Sequence, residues 1–144
     1  MHASKQRLRQ AWKTAHANTI LLRSTAMSHG ARIRLLQALV KPSLLFGSET
    51  WKLTPALPAK IIGAERAFSR WCMRLTNRAD RTNNEEVDLA AWVQWQTETA
   101  RQIAKTTSKQ KIERWHVTAI RLHWQWAGTA ARKTGTPNHT AAFG

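Results

Sequence analysis

The sequence predicts an all-α fold, a bundle of about five amphipathic helices. Three observations carry that expectation. Apolar residues recur at spacings of three and four along most of the chain, whereas the period-two alternation of a half-buried strand persists nowhere. Residues suited to starting and stopping helices stand between these stretches. The chain, at 144 residues, is long enough to bury one real core.

Helix one is expected over about 4–26. Leu8, Trp12, Ala15, Thr19 and Leu22 share a face, and Ser4 is placed to cap the start. Thr25 to Gly30 breaks the pattern. Helix two, about 29–46, has Ser28 as its cap and Ile33, Leu36, Leu39, Val40 and Leu44 as its apolar face. Pro42 removes a backbone donor and should kink it. Gly47 should end it, since glycine accepts a left-handed conformation cheaply. Phe46 and Trp51 then become buried anchors where helices two and three meet. Thr54 followed by Pro55 reads as a cap and first-turn proline for helix three, about 55–76, whose stripe is Leu57, Ile61, Ala64, Phe68, Trp71, Cys72 and Leu75. Glu65 there has arginines one turn on to pair with. A polar connector covers 76–83, and Thr82 with Glu85 forms a capping box for helix four, about 84–105. Thr106-Thr107-Ser108 interrupts. Helix five, about 109–132, carries Ile112, Trp115, Ala119, Leu122 and Trp126 on one face, with Trp124 off it. The tail from Thr134 has turn composition and is expected to be disordered.

Lys and Arg number 23 against 8 Asp and Glu, a net charge of +15. Residues 1–76 hold 13 basic and 2 acidic side chains, or +11, and residues 77–144 hold the remaining +4. With so few acids to neutralise it, such a surface favours a polyanionic partner, and nucleic acid comes first. Lys60, Arg66, Arg70 and Arg74 are spaced six, four and four, so the last three nearly align as a ridge able to follow phosphates. Arg32 and Arg34 add charge on helix two. Eight tryptophans and no tyrosine place most indoles in the core, with a minority free to stack on bases.

Other chemistry finds no footing. The aspartates Asp80 and Asp88 are not adjacent, so they make no paired-carboxylate site for two metal ions. Cys72 is the sole thiol, and His116 and His123 alone cannot complete a zinc site. No serine or cysteine stands in a nucleophile motif, and no phosphate-binding loop is present. No catalytic residue, metal or cofactor is therefore expected. Met1 leads into polar, basic residues without an apolar leader, and no run approaches membrane-spanning length. Cytoplasm or nucleus is favoured over a membrane. Several capped helices also argue against a single basic amphipathic membrane binder.

Three segments carry a family resemblance. Pro42-Ser43-Leu44-Leu45-Phe46-Gly47-Ser48-Glu49-Thr50-Trp51-Lys52-Leu53-Thr54 resembles the P-x-L-L-[YF]-G-x-E-T-W-x-L-T segment of non-LTR (LINE-type) retrotransposon reverse transcriptases. Glu65-Arg66, Arg70 and Asn84-Glu85-Glu86-Val87 resemble that family's E-R…R…N-E-E-V region. Leu122 to Arg132 resembles its L-x-W-x-G-H-x-x-R element, with Thr129 where histidine is usual. The resemblance implies the helical thumb and the region beyond it, without the catalytic palm. It divides the chain into a basic thumb-like part (1–76), a post-thumb part (77–133) and a tail (134–144). It further implies electrostatic binding of a template–primer RNA/DNA duplex or RNA along the first three helices, through Arg32, Arg34, Lys60, Arg66, Arg70 and Arg74. The alternative is a free-standing basic helical nucleic-acid-binding or scaffold protein without enzyme activity.

Overall fold

The computed structural model describes residues 2–75 and 89–134. Within them the chain is all-α: α1 (His2–Ala17), α2 (Thr19–Leu22), α3 (His29–Leu39), α4 (Lys41–Leu45), a 3₁₀ turn (Ser48–Thr50), α5 (Ala56–Cys72), α6 (Leu89–Lys109) and α7 (Trp115–Thr134). Five of these are long helices, as the apolar spacing predicts. The Thr82–Glu85 capping box and the tail beyond Thr134 lie outside the described residues.

Local chemistry explains where the boundaries differ from expectation. The first predicted helix divides at Asn18, whose side-chain amide donates to Thr14 O (2.8 Å). Its backbone N–H takes a three-residue bond to Ala15 O (3.1 Å), which tightens the turn. Ser4 sits inside α1 and so cannot cap it. The second predicted helix divides at Val40, where the N–H that Pro42 lacks would have bonded one turn back. Ser28 does cap α3, its hydroxyl accepting from Ala31 N (3.2 Å). Gly47 has φ +75°, the left-handed stop the sequence calls for.

Pro55, not Thr54, is the N-cap of α5, and the Thr54 hydroxyl makes no capping bond. Thr106 to Ser108 does not interrupt α6. The hydroxyls of Thr106 and Thr107 bond back to Gln102 O (3.0 Å) and Ile103 O (2.6 Å), so their turn-forming capacity is used inside the helix.

Helices α5 and α6 end alike. Arg74 N and Leu75 N bond to Trp71 O (3.2 Å) and Arg70 O (2.9 Å); Lys111 N and Ile112 N bond to Ser108 O (3.0 Å) and Thr107 O (3.2 Å). Each is a Schellman closure followed by an apolar residue packed on the core. Each has a non-glycine residue in the left-handed position, Arg74 at φ 60° and Lys111 at φ 56°.

The core runs through α5. Trp12 of α1 stacks on Phe68 (centroids 4.0 Å), and Phe68 lies 5.8 Å from Trp115 of α7. The Trp115 indole N–H donates to Gln37 Oε1 of α3 (2.7 Å), so the buried ring keeps its polar atom satisfied. Trp51 is buried as expected. Phe46 is not: it is 72% exposed, and the Arg7 guanidinium covers its ring at 5.0 Å. Phe46 is the C-cap of α4, and its ψ of 120° turns the following chain out of the helix.

Candidate nucleic-acid interface

The six cations singled out from the sequence fall into different environments. Arg34, Lys60 and Arg66 are exposed. Arg32 is not on the surface, and this corrects its expected placement: it is 4% exposed and donates from Nη1 to Cys72 O (3.0 Å). Arg23 reaches the same place, donating from Nε to Trp71 O (3.0 Å). Two guanidinium groups thus meet the carbonyl end of α5, where the helix dipole is negative and the last carbonyls need donors.

The predicted ridge on α5 is broken at its centre. Arg70 folds across to α6, donating to Thr99 Oγ1 (3.0 Å) and Gln96 Oε1 (2.7 Å) with its guanidinium 5.1 Å from the Trp95 ring centroid. Burial there, and Arg66 nearby, push its pKa below the ordinary arginine value. Arg74 is exposed but lies past the helix end and bonds Arg23 O (3.1 Å).

The cations at the start of α7 and along it are also engaged. Arg114 pairs with Glu65 (3.0 Å), which therefore does not pair with arginines on its own helix. Arg121 pairs with Glu113 (3.1 Å), and Arg132 Nε bonds Gly128 O (3.2 Å). Thr118 and Arg121 hold the Glu113 carboxyl below its ordinary pKa. Trp124, off the apolar stripe, is 62% exposed.

Two rows that the sequence reading did not single out have the ridge geometry. Lys5, Arg9 and Lys13 on α1 are all exposed, as are Arg101, Lys105 and Lys109 on α6. A spacing of four keeps each row on one side of its helix, with about 6 Å of rise between successive charges. The signal was the i, i+4, i+8 spacing itself, the same spacing as that of Arg66, Arg70 and Arg74. The α6 row runs to a polar cavity of about 400 Å³ lined by Ser28, His29 and Gly30 of α3 and by Lys105, Thr106, Lys109 and Gln110. An anion there meets ammonium groups beside the positive end of α3. Among the described residues, no three His, Cys, Asp or Glu side chains gather as a metal site, and no helix is long and apolar enough to cross a membrane.

Two of the segments that carry the resemblance, Pro42–Thr54 and Leu122–Arg132, meet in space. α7 lies along the 3₁₀ turn, and His123 Nδ1 is 3.1 Å from Glu49 O, across 74 positions of sequence. Comparisons with protein-family models, curated proteins and solved structures find no match to this chain. The likeness to non-LTR reverse transcriptases therefore stands on the quoted segments.

Proposed function

We propose that this chain is the thumb and post-thumb portion of a non-LTR retrotransposon reverse transcriptase, and that it grips template–primer nucleic acid by its phosphates. The observation that carries the reading is the convergence of two resembling segments, Pro42–Thr54 and Leu122–Arg132, at the Glu49–His123 contact. The first supplies the turn and the second the helix that lies on it. Residues that resist substitution for packing reasons, such as Leu44, Leu45 and Trp51, would keep such a motif recognisable. The role is positioning, since no paired aspartates are present for polymerase chemistry.

Phosphate binding rests on the exposed cations: Arg34, Lys60 and Arg66, joined by the rows on α1 and α6. Nothing in the sequence provides a base-reading motif, so binding is electrostatic and weakly sequence-specific. The test is fluorescence anisotropy with an RNA/DNA duplex across a salt series. With about five phosphates contacted, log affinity falls against log salt with a slope near −4 to −5. Salt-independent binding, or strong preference for one sequence, overturns the reading.

A further inference from the structure

Helices α1 and α5 leave an open apolar groove of about 430 Å³ between them. Leu8, Trp12, Leu44, Leu57 and Ile61 line its walls, and Gly63 and Ala67 of α5 form a low edge. Lys5 and Lys60 also line it, and an adjoining cavity of about 220 Å³ adds Lys52. A Cβ added at Gly63 would meet nothing within 4 Å. The groove follows α5 from Leu57 to Ala67, roughly 15 Å or three turns of helix.

We propose that this groove docks an acidic amphipathic helix of a partner protein. An α-helix satisfies its own backbone and needs only apolar side chains to offer such a surface. The missing side chain at Gly63 lets a partner backbone approach closely. Lysines on the lining favour carboxylates on the flanks of the visiting helix. A second copy of this chain is disfavoured, because each carries +15. An unpaired base fits less well: the walls are mainly aliphatic, and one face of Trp12 is already stacked on Phe68. The site shares Lys5 and Lys60 with the phosphate-binding reading, but its apolar walls stand independently of that reading.

The probe is a fluorescent amphipathic peptide about four turns long, with leucines on one face and glutamates on the other. It is titrated into the full chain by anisotropy. Gly63→Phe fills the groove from its open edge and should weaken binding at least about tenfold with Tm unchanged. Ala67→Glu, also on the exposed edge, should do the same by charge, and it serves as the second variant if Gly63→Phe lowers Tm. Equal binding of a peptide with lysine in place of glutamate overturns the proposal, as does binding indifferent to both variants. If Gly63→Phe instead abolishes oligothymidylate binding and spares the peptide, the groove belongs to nucleic acid and the proposal fails.

Discussion

The carboxylate of Glu65 accepts from Arg114 Nε (3.0 and 3.1 Å) and from the backbone N–H of Trp115 (3.2 Å), although about fifty positions separate these partners in the chain. Glu65 is 1% exposed. It therefore serves two purposes: it neutralises a cation from the α6–α7 connection and caps the start of α7. Removing the Glu65 carboxylate leaves the Trp115 N–H without its acceptor and Arg114, 30% exposed, without its partner, which costs about 1–3 kcal/mol. Glu65→Ala should lower the unfolding free energy from urea titration by that amount, and an unchanged midpoint would exclude the bridging role.

Arg32 and Arg66 should separate folding from binding. Arg32→Ala strips a donor from the buried end of α5 and should cost about 1–3 kcal/mol. It should leave the salt slope for duplex binding untouched. Arg66→Glu should do the reverse, holding Tm while reducing the slope by about one. A slope that changes with Arg32 would show that its guanidinium reaches phosphate.

Trp51 and Phe46 offer a similar contrast. Trp51→Ala should cost about 3–5 kcal/mol, as for other buried aromatics. Phe46→Ala should stay within about 0.5 kcal/mol, the range for exposed positions. Thermal melts of the two variants decide the matter, and comparable losses would place Phe46 back in the core.

Lys111 occupies a left-handed position that only glycine takes without strain. Lys111→Gly should stabilise the chain by about 1 kcal/mol, since the relief of strain exceeds the extra freedom gained by the unfolded chain. A lower Tm for this variant would mean that the Lys111 side chain contributes more than its backbone costs.

The Cys72 thiol donates to Leu22 O (3.0 Å), and burial pushes its pKa up to about 11. The thiolate is the reactive form, so native Cys72 should resist iodoacetamide at pH 8 and react on unfolding. The raised value also sets a pH dependence. Below pH 9 both folded and unfolded thiols stay protonated; between pH 9 and about 11 only the unfolded chain loses its proton, so stability falls as pH rises. Rapid alkylation in native buffer would contradict the buried placement.

Local chemistry was legible where one residue decides the outcome. Ser28, Pro42 and Gly47 act on their own backbone, and each does what its chemistry predicts. The cations were harder to place because their fates depend on distant partners. Arg32 lies beside Leu36 on α3, and only the end of α5, forty positions on, makes its burial favourable. Arg70 fits an exposed ridge until Thr99 and Trp95 arrive from α6. Phe46 shows the same limit in an apolar residue, since its exposed ring is met by Arg7 of α1 rather than by the core.

Translation delivers this chain from its N-terminus, and the Glu65–Arg114 bridge then has an order in time. Residues 1–75 can emerge and coil, yet the carboxylate at the centre of α5 has no cation across from it until Arg114 follows. A nascent chain held short of that point must keep Glu65 hydrated, and Phe68 must wait for Trp115. Stalled ribosome–nascent chains of increasing length should therefore gain protease resistance in one late step, after α7 clears the exit tunnel, rather than helix by helix.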